Sequence, residues 1–177
     1  MLETERLILR LWNESDAADL FAFASDDRVG PAAGWQPHNS QEESRQIIRD
    51  VLSFPETYAI VWKETGRVIG SVGLMQGKQS NLTLTENEAE LGFWVGVPYW
   101  NRGIMTEAAT ELIRHGFEDL GLSRIFCGYF EGNERSAGVQ RKLGFQYRKT
   151  IPDYYAAQLD ETRSLIVQML TNPKYEI

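Results

Sequence analysis

Leucines fall at alternate positions in the opening segment, Leu7, Leu9 and Leu11, the period-two pattern of a strand that lays one face on a core. Ser15 and Asp16 then read as the cap of a short helix carrying Leu20, Phe21 and Phe23. Residues 30–37 are rich in Gly and Pro and contain Trp35, the marks of an ordered loop that either lines a pocket or closes the edge of the core. Residues 40–54 follow as an amphipathic helix with Ile47, Ile48, Val51 and Leu52 on its buried side. Two runs, residues 58–62 and 68–75, read as an antiparallel hairpin turned at residues 64–67, and the polar stretch 76–87 reads as a solvent loop. A further strand carries Leu91, Phe93, Val95 and Val97 on one face. After a turn, Ala109, Leu112, Ile113, Gly116, Phe117 and Leu120 recur at helical spacing until Gly121. A strand at 124–130, a helix at 133–143 ended by Gly144, and strands at 145–151 and 163–170 complete the pattern.

Strands and helices mixed in this order imply one central sheet with helices on both faces, an α+β architecture. The chain has 177 residues, 42% of them hydrophobic, which suits a single domain over residues 1–177. A domain of that size buries about 70% of the surface its unfolded chain exposes. No run of about 18 apolar residues is present, and the N-terminus is acidic where a signal peptide is basic, so a cytoplasmic protein without membrane contact is expected. Cys127 is the only cysteine and His38 and His115 lie far apart, so neither a disulfide nor a metal site is expected. The net charge of −7 argues against direct nucleic-acid binding and slightly favours an amine-bearing partner. Monomer and homodimer both stay open.

The turn between the Leu91 strand and its helix carries the chemistry. Neither a Gly-x-Gly-x-x-Gly fingerprint nor a Gly-Lys-Ser/Thr loop is present, so dinucleotide and Walker-type sites are set aside. A helix start nevertheless exposes backbone N–H groups without internal partners at the positive end of its dipole, and a diphosphate satisfies both. Gly103 lets the main chain approach such a ligand closely. The alternative is an ordinary strand-to-helix turn whose glycine relieves backbone strain.

Asn133-Glu134-Arg135-Ser136 opens the later helix and Lys142-Leu143-Gly144-Phe145 closes it. With the turn at Gly103, these residues make the chain resemble the GNAT superfamily of acetyl-CoA-dependent N-acetyltransferases. Tyr99-Trp100, Thr106-Glu107-Ala108, Ala89-Glu90-Leu91-Gly92-Phe93-Trp94 and the opening Glu3-Thr4-Glu5-Arg6 are similar to its ribosomal-protein N-terminal acetyltransferase branch. The resemblance implies a mostly antiparallel twisted sheet of about seven strands that splays between the fourth and fifth. It implies acetyl-CoA as cosubstrate, with no metal. The family's Gln/Arg-x-x-Gly-x-Gly/Ala signature falls on Trp100 through Met105, and only Gly103 matches strictly. Main-chain N–H groups of Asn101, Arg102, Gly103, Ile104, Met105 and Thr106 would hold the diphosphate, with Met105 as the bulky departure. Main-chain groups of Phe93, Val95 and Val97 would pair with pantetheine in the splay, and Asn133 would hydrogen-bond the pantetheine arm as well as cap its helix.

Acetyl transfer needs an uncharged amine, a polarised carbonyl and a proton for the thiolate. Glu90, on the strand face shared with Gly92 and Trp94, is the candidate base, the alternative being a solvated or ion-paired carboxylate. Resemblance to the ribosomal-protein branch implies Ser136 as the acid that protonates the thiolate, the alternative being a serine that only holds the sulfur in place; Gln140 stands where many other family members carry a tyrosine. Cys127 reads as a small apolar filler rather than a covalent carrier. Trp35, Tyr154 and Tyr155 are candidates for the acceptor pocket or, equally, aromatic cover. The expected function is acetyl transfer to a primary amine by direct attack in a ternary complex. The acceptor expected is a protein N-terminal α-amine of ribosomal-protein type; alternatives are a polyamine, amino acid or amino sugar, or an acyl-CoA-binding module without turnover.

Overall fold

The computed structural model describes residues 1–175. Eight strands form one sheet in the order β1-β2-β3-β4-β5-β6-β8-β7. They are β1 (Leu2–Glu3), β2 (Leu7–Leu11), β3 (Thr57–Trp62), β4 (Val68–Met75), β5 (Glu88–Val95), β6 (Arg124–Phe130), β7 (Gln146–Ala156) and β8 (Glu161–Thr171). Seven match the periodic segments of the sequence; the eighth is the two-residue β1. All neighbours pair antiparallel except β5 and β6.

The helices are α1 (Ala17–Ala24), α2 (Gly30–Ala33), α3 (Gln41–Ile47), α4 (Ile104–Glu118) and α5 (Glu134–Lys142). They cover both faces. On one, Ile104, Met105, Ala108 and Leu112 of α4, Val139 of α5 and Leu143 just after it pack over Leu7, Leu9, Ile60, Leu74, Ala89 and Leu91. On the other, Ala17, Leu20 and Ala24 of α1 and Ile48 pack over Ala59, Val61 and Val68. Each fully buried Leu or Ile contributes roughly 1.5–3 kcal/mol, so these two layers hold the sheet between them.

Three local readings need correction. Asp16 does hold the N-cap position of the first helix but gives it no side-chain cap bond; the capping box belongs to the 3-10 turn ahead, where Asn13 accepts from the Ser15 N–H and Asp16 accepts from the Asn13 N–H. The helix of residues 40–54 is α-helical only to Ile47, where Ile48–Leu52 widens into a π turn. That change of pitch rotates Val51 outward to 47% exposure while Ile48 stays buried. Tyr154 and Tyr155 lie within β7, which runs five residues beyond Ile151.

Candidate active site

β5 and β6 are in register for three pairs only: Glu88 with Arg124, Ala89 with Ile125 and Glu90 with Phe126. Beyond Glu90 each strand keeps its other neighbour, β5 with β4 as far as Val95 and β6 with β8 as far as Phe130. The seam between them therefore opens from Leu91 onward. The Gly96 N–H bonds to Ile69 of β4. By strand alternation the main-chain groups of Phe93 and Val95 then face the open seam. The Val95 carbonyl accepts the Trp100 indole N–H at 2.8 Å, and on β6 the Gly128 carbonyl accepts Gln140 Nε2 at 3.3 Å. Side-chain donors thus replace ladder bonds on both strands.

Val97 does not extend this edge. β5 ends at Val95, and Val97–Tyr99 forms a 3-10 turn whose Val97 carbonyl accepts the Trp100 N–H. Pro98 supplies the reason, since it has no N–H to give a ladder.

The chain enters α4 through two left-handed residues, Asn101 at φ 57° and Gly103 at φ 73°. Gly103 is the cap position and provides no side chain, and the first helical bond runs from the Glu107 N–H to the Gly103 carbonyl. Among the described residues no acceptor takes the N–H groups of Asn101, Arg102, Gly103, Ile104, Met105 or Thr106. Met105 does not obstruct them: its side chain is 5% exposed and belongs to the core. The Arg102 guanidinium lies over Trp62 and Tyr99, at 5.2 and 5.6 Å. The turn is pinned from below by the N-terminal segment. Glu107 accepts from Thr4 Oγ1 at 2.6 Å and from the Arg6 N–H and Nε, and Arg6 also donates to the Arg102 carbonyl. Burial pushes the Glu107 carboxyl up, and these hydrogen bonds outweigh it and hold it below its ordinary value.

At the parting point sits Glu90, 7% exposed and outside any ion pair among the described residues. Its Oε2 accepts from Ser80 Oγ and from the Asn81 N–H, both at 2.7 Å. Burial pushes the carboxyl up and the Ser80 and Asn81 bonds pull it down; burial wins. The solvated or ion-paired alternative for Glu90 is therefore set aside, and the loop that sequence polarity assigned to solvent supplies its partners. Only a Ser-Asn pair in a polar run hinted at this.

Ser136 lies across the seam in the first turn of α5, where its N–H is capped by Asn133 Oδ1 at 3.2 Å and its Oγ receives Gln140 Nε2 at 3.2 Å. Gln140 also binds the carbonyl of Gly128, two residues past the Phe126 that pairs with Glu90, so it ties Ser136 to the part of β6 just beyond the parting point. Asn133 is committed twice, since its Nδ2 donates to the Ala32 carbonyl at 3.2 Å. Arg163 holds the same segment through Pro31 at 2.7 Å. These bonds dock α2 and the Trp35 loop beside the seam, where Trp35 meets Trp94 edge-on at 5.8 Å.

Tyr154 packs against Phe130 at 6.2 Å, and burial followed by the Glu90 charge raises its phenol. Tyr155 points the other way, 56% exposed and bonded to Asp160, so the structure does not bring it to the cluster. Cys127 is buried, and burial first and Glu90 second push its thiol well up, leaving no thiolate nucleophile. No group of three or more His, Cys, Asp and Glu among the described residues could hold a metal ion, and no described helix is long and apolar enough to cross a membrane.

The description of the GNAT acetyltransferase domain matches residues 6–146, which spans the turn, the seam and both helices flanking it. The chain belongs to the GNAT acetyltransferase family. As a GNAT enzyme it is an acetyl-CoA-dependent N-acetyltransferase. It is 31% identical over 159 residues to the uncharacterised N-acetyltransferase YoaA of Bacillus subtilis (strain 168), covering 87% of each chain. It is 29% identical over 186 residues to the [ribosomal protein uS5]-alanine N-acetyltransferase of Escherichia coli (strain K12), covering 98% of this chain and 92% of the other. A GNAT-family acetyltransferase from Bacillus anthracis shares the fold at a TM-score of 0.83 and 18% identity, with 97% and 98% of the two chains covered.

Proposed function

We propose that this GNAT enzyme acetylates the N-terminal α-amine of a protein, of ribosomal-protein type, by direct attack on acetyl-CoA. The observation that carries the chemistry is the seam that opens at a buried carboxylate, with an uncapped helix start on one side of it. The amides of residues 101–106 bind the diphosphate, and the main-chain groups of Phe93 with the Val95 N–H align pantetheine and polarise the thioester carbonyl. Glu90 takes one proton from the amine, directly or through water, as the C–N bond forms. The C–S bond breaks, the sulfur gains one proton by way of Ser136, and Ser136 recovers it from water. Asn133 keeps α5 and the Trp35 loop in place, and Trp35 and Tyr154 wall the acceptor's approach.

The acceptor reading draws support from the near full-length similarity to a ribosomal-protein alanine N-acetyltransferase. It is tested by offering the protein acetyl-CoA with peptides bearing free α-amines, a polyamine, amino acids and an amino sugar, with acetylation followed by mass spectrometry. Acetylated peptide N-termini are expected. Turnover of small amines alone would remove the protein acceptor and leave the chemistry; no thiol release with any amine would remove the chemistry too.

A further inference from the structure

Gln140 is fully buried, at 0% exposure, yet it is a long polar side chain, in the last turn of α5. Its Nε2 carries two hydrogens, and both are used: one on the Gly128 carbonyl at 3.3 Å, the other on Ser136 Oγ at 3.2 Å. Its Oε1 is buried without a partner among the described residues. The Gly128 carbonyl cannot donate, so it fixes the amide with Nε2 toward the serine. Ser136 Oγ then acts as acceptor toward Gln140. Its own O–H donates to no acceptor among the described residues. A buried orphan oxygen is costly, and a chain that keeps one holds the amide for what its other end does.

We propose that Gln140 is a positioning residue for the transfer: it occupies the acceptor side of Ser136 Oγ, so that the hydroxyl proton is aimed at the departing sulfur of CoA. This rests on the acid role given to Ser136 above. Gln140 itself touches neither substrate. It ties the serine to β6 through Gly128, so the donor moves with the strand that forms one wall of the seam.

The test is a cycle of wild type, Ser136→Ala, Gln140→Met and the double variant, read by steady-state rates, by acetyl-CoA affinity and by the acidity of the CoA thiol bound to the protein, followed by thiolate absorbance. Gln140→Met is expected to lower kcat roughly tenfold, the worth of one oriented hydrogen bond, with acetyl-CoA affinity within about twofold. In the Ser136→Ala background it should cost nothing further. The bound thiol should become less acidic, by the same shift in both single variants, because each withdraws the same donor from the thiolate. Gln140→Leu serves as the second variant should Gln140→Met fold poorly. Equal slowing by Gln140→Met with and without Ser136 would overturn the proposal and leave the serine as acid. An unchanged rate and thiol acidity in Ser136→Ala would overturn the serine's role, and this proposal with it.

Discussion

The helices α4 and α5 start on the same face of the sheet, each fed by one of the two strands that part at Glu90, and they start in opposite ways. α4 begins at a left-handed glycine with no side-chain cap, and its first amides are unanswered. α5 begins at Asn133, whose side chain answers the Ser136 N–H and also reaches α2. A glycine start forgoes only about a few tenths of a kcal/mol relative to a capping side chain, and keeps a cluster of donors for an anion. A capped start is finished with its own backbone, so what it presents to the seam is a side chain, the Ser136 hydroxyl. One helix end binds and the other positions a proton.

The largest effect is expected at the group both ends serve. Glu90→Gln should lower kcat about a thousandfold while leaving CoA affinity unchanged, and should abolish the acid limb of the pH–rate profile, which is expected in wild type above the ordinary carboxylate range because burial raises Glu90. Stability should move the other way. Because the folded-state value lies above the unfolded one, Glu90 binds protons more tightly in the native protein. Its penalty is absent below the ordinary value of 4.5 and grows as pH rises through the folded value. Glu90→Gln should therefore melt higher than wild type near neutral pH, with the gain shrinking as pH falls to about 4. A uniform change at all pH values would contradict the burial argument.

Next comes the bare start. Gly103→Asp should weaken CoA binding about a hundredfold and Gly103→Asn about tenfold, the difference being a carboxylate facing a diphosphate. Equal losses in calorimetry would mean that the turn acts by shape alone. The capped start should answer differently. Ser136→Ala should slow transfer about tenfold, near the modest end for a proton donor because a thiolate already leaves readily, with CoA affinity intact. The smallest effect belongs to the cap itself: Asn133→Ala should cost about 1 kcal/mol, a drop of about 2–4 °C in Tm. A loss of CoA affinity larger than the loss of stability would place Asn133 on the ligand rather than under the helix.

Much of this was legible because it is local. Alternation at Leu91, Phe93 and Val95, the turn between β3 and β4, and the Asn133 cap are short-range signals, and each names its own element. The rest depends on contacts between distant segments. Ser80 and Asn81 hold Glu90 from a loop whose polarity looked like that of any solvent loop. Arg6 reaches a helix 101 residues away. Gln140 is marked in the sequence only as the residue standing where many family members carry a tyrosine, and its bond to Gly128 appears only once the fold brings α5 to β6. Tyr154 and Tyr155 are neighbours in sequence, yet the pleat of β7 sends one to the seam and the other to solvent. The Val51 reading failed for a subtler reason: periodicity assumes one helical pitch, and a single π turn breaks it.

The contrast between the two helix starts is tested most directly by a crystal structure of the protein with CoA. The account predicts diphosphate oxygens about 2.7–3.2 Å from main-chain nitrogens within residues 101–106, with the Asn133 side chain still on Ser136 and Ala32. A diphosphate seated on α5, with the α4 amides left bare, would contradict it.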